Sequence, residues 1–154
     1  MSSSLSWYVF CTLHVSIRKN GEYKKMDKPN AKTRILLVVS NDLMRNIFRK
    51  LFVRFGYHII AVDTARNGFK ALNEVCFDSV ICDFDLHECN GLEFFISIKN
   101  ICPERNNILM ITYGDLADVS EVKNLNIRHI IEKPFPFEGL LKIVNNRRLK
   151  NCLH

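Results

Sequence analysis

Three side chains that lie far apart in this sequence each close a short apolar run: Asp83 ends SVICD, Thr112 ends NILMIT, and Lys133 follows RHIIE. A carboxylate can attack a phosphoryl group, a hydroxyl can hydrogen-bond a phosphoryl oxygen, and a lysine ammonium can neutralise the charge. The same trio also reads as architecture, a buried Asp83–Lys133 ion pair with Thr112 closing a strand, because ion-pair networks are common in folded proteins. Either reading requires the three residues to meet, so the elements that carry them decide the matter.

Arg34 to Val39 (RILLVV) is a continuous apolar run and predicts a strand buried on both faces. Asn41 and Asp42 then offer caps to a helix in which Leu43, Met44, Ile47, Phe48, Leu51, Phe52 and Phe55 recur at helical spacing before Gly56 ends it. The alternation continues with strands at His58 to Val62, Ser79 to Asp83, Asn107 to Thr112 and Arg128 to Glu132. Helices are expected near Ala65 to Val75, Leu92 to Asn100, Leu116 to Asn124 and Phe137 to Asn146. Five β/α units with short loops predict an α/β, three-layer, doubly wound fold, a five-stranded parallel sheet covered on both faces. Functional groups in such folds gather beyond the carboxyl ends of the strands, and here those ends present Val39-Ser40, Asp83, Thr112 and Lys133.

Four stretches in order, ILLVVSNDLMR, FDSVICDFDLHECNGLEFF, ILMITYGD and HIIEKPF, resemble the receiver domains of bacterial response regulators (the CheY-like superfamily) over about Thr33 to Asn146. The resemblance implies a flavodoxin-like sheet of strand order 2-1-3-4-5. It further implies that Asp83 accepts phosphate from a histidine kinase or phosphotransfer protein, that Thr112 moves toward the phosphoryl group, and that Lys133 contacts it. It also implies a cis peptide between Lys133 and Pro134. Gly91 opens a helix where the family has glycine, and Asn126 replaces a family glycine as the residue that next best tolerates a left-handed backbone.

The departures touch chemistry. Val39 and Ser40 stand where the family carries the paired acids that hold Mg²⁺, an ion that prefers hard oxygen ligands in octahedral geometry, so its binding should be severely weakened. Asp83 itself, Asp85 and, if the loop shifts, Asp42 are the remaining candidate metal ligands; Asp42 also suits a helix cap and Asp85 a solvated loop. Tyr113, beside Thr112, is expected to shield Asp83. Ile130 stands where the family carries an aromatic switch, and an aliphatic side chain cannot reproduce that two-position device. His87 replaces a loop proline and is assigned no catalytic role.

With 154 residues, 47% of them hydrophobic, the chain suffices for one domain with a real core. The expected division is an amino-terminal extension over 1–30, with Met26 as an alternative start, a receiver domain over 31–146, and a basic tail over 147–154 too short to fold alone. The net charge of +6 sits in the two ends, while the rest balances at 14 basic and 14 acidic residues. That distribution argues against nucleic acid as the main partner. Leu5 to Ile17 is too short to span lipid, and Cys11, Cys76, Cys82, Cys89, Cys102 and Cys152 form no C-x-x-C pair; a cytoplasmic protein with reduced thiols is expected. The reading is a stand-alone phosphorelay receiver acting through a partner protein or a homodimer. Its alternatives are a phosphorylation-independent docking module working through about Asp115 to Leu141, and a phosphatase resembling the haloacid dehalogenases through Asp83-Phe84-Asp85. The last lacks a downstream acidic pair for its metal, and His87 stands where that pattern wants threonine.

Overall fold

In the computed structural model, which describes residues 33–101, 105–116 and 119–146, the apolar runs assemble into one parallel sheet. Its strands are β1 (Arg34–Val38), β2 (His58–Val62), β3 (Ser79–Asp83), β4 (Asn106–Ile111) and β5 (Ile127–Glu132), in spatial order β2-β1-β3-β4-β5. The expected class and strand order therefore hold. The extension over 1–30 and the tail over 147–154 lie outside the described residues. From β1 the chain builds outward to β2 and then, in the other direction, to β3, so the order reverses between β1 and β3. That reversal leaves a crevice at the carboxyl ends of these two strands, where crossing connections part.

Four helices cover the sheet: α1 (Asp42–Arg54), α2 (Ala65–Glu74), α3 (Gly91–Ile98) and α4 (Phe137–Asn145). The period-two alternation of a strand divides the apolar run of β1 between two cores. Ile35, Leu37 and Val39 join Phe48, Phe52, Phe137, Leu140 and Val144 beneath α1 and α4. Leu36 and Val38 join Leu72, Phe94, Phe95 and Ile98 beneath α2 and α3. The helical stripe on α1 behaves as its spacing predicts for Met44, Phe48 and Phe52, which are buried, whereas Leu43 is 47% exposed. Asn41 provides the cap of α1, accepting the Met44 N–H at 3.0 Å, and Asp42 is the first helical residue.

One expected element takes another form. In place of an α-helix from Leu116 to Asn124, the described residues carry a four-residue 3₁₀ helix, Val119–Val122. The apolar positions explain the outcome: Leu116, Val119, Val122 and Leu125 recur every three residues, the repeat of a 3₁₀ turn and not of an α-helix. Val122 is buried in the second core, with Leu116 and Leu125 packed against it. Beyond this turn Asn126 adopts φ +56°, as expected for the residue standing in for glycine, and its carbonyl accepts the Asn107 side-chain N–H at 3.1 Å. Asn126→Val should therefore lower stability by about 1–2 kcal/mol while Asn126→Gly stays near neutral. Urea denaturation of the two variants, with an unchanged slope, checks this.

Candidate functional site

Asp83 is the last residue of β3, and its side chain is buried at the crevice between strand ends. Lys133 Nζ lies 2.6 Å from Asp83 Oδ1, a long-range ion pair. The Lys133 N–H extends the sheet ladder by donating to the Ile111 carbonyl at 2.8 Å, and the Lys133–Pro134 peptide is cis, as expected. Immediately afterwards Phe135 and Phe137 are sunk into the first core, with ring centroids 6.2 Å and 5.9 Å from Phe48. Burial of these two rings pins the segment that carries Lys133. Desolvation pushes the Asp83 carboxyl above its ordinary value, opposed by the charge and hydrogen bond of Lys133 and reinforced by the nearby Asp85.

Thr112 follows β4, the strand beside β3, two residues beyond the register partner of Asp83, Met110. Ile81 and Met110 both face the first core, so alternation sets Asp83 and Thr112 on the same face of the sheet. Thr112 is exposed there, and its backbone is held in a turn: the Thr112 N–H donates to Asp115 Oδ2 at 2.6 Å, and the Asp115 N–H returns to the Thr112 carbonyl at 3.0 Å. Within that turn Gly114 takes φ +90° and Tyr113 is 90% exposed. The phenol ring therefore does not shield Asp83, contrary to the expectation from its position; the turn swings it into solvent. Ile130 is half-buried against the second core.

The loop after β1 holds no acid in the crevice. Val39 is fully buried in the first core and presents no ligand. Ser40 is buried, with its hydroxyl donating to the Asp63 carbonyl at 2.9 Å and accepting the His87 N–H at 3.1 Å. Asp42 lies 84% exposed and ion-paired with Arg45. The Arg45 guanidinium also donates to the Val39 carbonyl at 2.9 Å and the Ser40 carbonyl at 3.2 Å. Asp85 is exposed, and the loop it begins is closed by a bridge to Asn90. Among the described residues no group of three or more His, Cys, Asp or Glu side chains could hold a metal ion. This donor set does not fit Mg²⁺: one buried carboxylate is already paired with lysine, and the hydroxyl and carbonyls beside it are engaged.

Gly91 proves indispensable in a way its helix-opening position only hinted at. A Cβ there would come 2.7 Å from the Asp83 carbonyl oxygen and 2.8 Å from Leu109 Cδ1. The Gly91 N–H meets the Phe84 carbonyl at 2.8 Å, and Asn90 caps α3 through a reciprocal box with Glu93. Sequence reasoning treated Ser40 only as a lost acid and passed over Arg45 altogether; the i,i+3 spacing of Asp42 and Arg45 was the available signal. Cys82 is a buried thiol in the second core, as expected, and burial pushes its pKa well up.

The family model for the response regulator receiver domain matches residues 35–145. The chain belongs to the response-regulator receiver family. Receivers are signalling modules of two-component systems, and the family typically binds Mg²⁺. The chain is 26% identical over 106 residues to the transcriptional regulatory protein ZraR of Escherichia coli, covering 68% of this chain and 24% of that protein. It thus spans about a quarter of the length of that relative. It is 27% identical over 115 residues to the chemotaxis protein CheY of Bacillus subtilis, covering 73% of this chain and 94% of that one. A receiver domain crystal structure from Clostridium thermocellum superposes with TM-score 0.72 at 22% identity, covering 79% of this chain and 99% of the other. The response regulator TrrA of Thermotoga maritima, solved in complex with Mg²⁺-BeF, gives TM-score 0.67 at 22% identity, covering 75% and 98%. Among the described residues no helix is long and apolar enough to cross a membrane.

Two outcomes follow from this receiver site. Because the folded-state pKa of Asp83 is raised above 3.8, the native state binds its proton more tightly than the unfolded chain. The stability difference between the wild type and Asp83→Asn should therefore shift against the wild type as pH rises from about 3.8 through the raised value, and then level off. Denaturant unfolding of both proteins across that range measures it. Gly91→Ala should cost about 1–3 kcal/mol through overpacking against the Asp83 carbonyl, read as a lowered unfolding midpoint.

Proposed function

We propose that this receiver works in a cytoplasmic two-component phosphorelay, taking a phosphoryl group on Asp83 from a histidine kinase or phosphotransfer protein and signalling by contact with a partner protein. The observation that carries this reading is the 2.6 Å contact between Asp83 and Lys133 at the point where strand order reverses. A carboxylate oxygen of Asp83 attacks the phosphorus of a phosphohistidine, the P–N bond breaks with its electron pair going to the imidazole, and an acyl phosphate forms on Asp83. Two side chains act directly on that step. Lys133 transfers its ammonium from Oδ1 to an equatorial phosphoryl oxygen, and Thr112, at the adjoining strand end, offers its hydroxyl to another. The left-handed Asn126 and the close approach of Gly91 to the Asp83 carbonyl hold the flanking loops in receiver geometry. No part of this step relies on a metal ion.

A second reading is favoured by one observation, the burial of Val39 and the engagement of Ser40 where a receiver holds its metal acids. In that reading the fold acts as a docking module whatever the state of Asp83, through the surface from Asp115 to Leu141. Incubation with acetyl phosphate or a phosphohistidine donor, followed by intact mass, separates the two. The first reading expects a mass gain of one phosphoryl group that disappears in Asp83→Asn and forms about a hundredfold more slowly in Lys133→Ala. No gain in the wild type, or a gain that survives Asp83→Asn, leaves the docking module as the function.

A further inference from the structure

The loops around Asp83 pose a mechanical problem that an ion usually solves: charged and carbonyl oxygens from separate strand ends must be held together against their mutual repulsion. Here the loops after β1, β2 and β3 already converge on one atom. The Ser40 hydroxyl, on the first loop, donates to the Asp63 carbonyl on the second at 2.9 Å and accepts the His87 N–H on the third at 3.1 Å. Its donor and one acceptor site are thus satisfied, and Ser40 itself is buried. The carbonyls of Val39 and Ser40, the other oxygens that this loop could turn toward a cation, each accept from the Arg45 guanidinium. Val39 contributes only an apolar side chain to the core below. A divalent ion entering here would find these carbonyls occupied by the Arg45 guanidinium, and Asp83, the sole buried carboxylate among the described residues, already paired with the Lys133 ammonium.

We propose that Ser40 is a metal-free brace: its hydroxyl joins the three loops in place of a divalent cation, and the crevice stays assembled without Mg²⁺. Ser40 is a positioning residue in this role, acting on the loops that flank Asp83 and not on any reacting atom. The inference stands whether or not Asp83 accepts phosphate, because it concerns how the crevice is held. It also accounts for a serine where the loss of an acid alone would admit any small residue: alanine at this site would remove the bond to the His87 N–H and the link to the Asp63 carbonyl together.

The test uses the full chain and Mg²⁺ itself, with amide NMR and hydrogen exchange as readouts. In the wild type, Mg²⁺ titration should give no saturable shift at the amides of Ser40, Asp83, Asp85 and His87, and the melting temperature should be the same in Mg²⁺ and in EDTA. Ser40→Ala should speed exchange of the His87 amide about tenfold, the loss of one net hydrogen bond, and Ser40→Thr should restore it. Ser40→Asp should bring a saturable Mg²⁺ response at the Asp83 amide. Saturable Mg²⁺ shifts confined to the crevice of the wild type would overturn the brace, through Asp63 or Asp85 serving as ligands. So would unchanged His87 exchange in Ser40→Ala. The wild-type titration requires no variant to fold.

Discussion

A buried carboxylate needs a cation against it, and in this protein that single requirement organises the functional end of the molecule. Asp83 lies in a strand whose five residues are all buried, and water cannot supply the solvation its charge demands. Lys133 supplies the countercharge from β5, two strands away across β4. For the ammonium to arrive, β5 must pair in register with β4 and the chain beyond it must be fixed. Parallel pairing of Ile111 with Glu132 provides the first, and the stacking of Phe135 and Phe137 on Phe48 provides the second. Removing either partner of the ion pair leaves a charge in a medium that cannot accommodate it, so the aromatic core beneath α1 and α4 is also the support of the Asp83–Lys133 pair.

Around this pair the loops are held by ordinary hydrogen bonds. Ser40 connects three strand ends, Arg45 secures the backbone of the first loop while pairing with Asp42, and Asn90 closes the third loop and caps α3. Asp63, at the end of β2, is held below the usual carboxylate range chiefly by the Asn67 side chain. The charge balance of the crevice is consequently different from that of a site built on several converging acids. Arg45 holds the carbonyls of the first loop, Lys133 pairs with the one buried carboxylate among the described residues, and the other acids, Asp42, Asp63 and Asp85, are exposed. In water their attraction for an ion is weak and screened, whereas the fixed cations act through a poorly polarisable interior.

Much of this was legible in the chain. The run ILLVV, buried throughout, and the alternation of strands with helical stripes specified a parallel sheet, because only burial on both faces suits such runs and only helices return parallel strands. The cis Lys133–Pro134 bond and the left-handed Asn126 followed from motif resemblance and from the backbone tolerance of asparagine. The crossover between β4 and β5 was misread because a handful of apolar residues in a polar stretch was matched to a helix without regard to their spacing of three. Tyr113 was misplaced for a related reason: position in sequence says which residue follows Thr112, and the backbone turn at Gly114 decides which way its ring points.

The amino-acid sequence by itself determined the fold class, the element order and the identities of Asp83, Thr112 and Lys133 as strand-end residues, since these rest on local periodicity and on the chirality of β/α crossovers. Tertiary structure alone decided that Asp83 and Lys133 touch while Thr112 stands exposed beside them, that Ser40 is a three-loop junction, and that Arg45 occupies the carbonyls of the first loop. The physical reason is the reach of each interaction. Burial patterns repeat every two or four residues and can be read along a chain, but a hydrogen bond a few ångströms long between residues 40 and 87 depends on the placement of two separate strand ends.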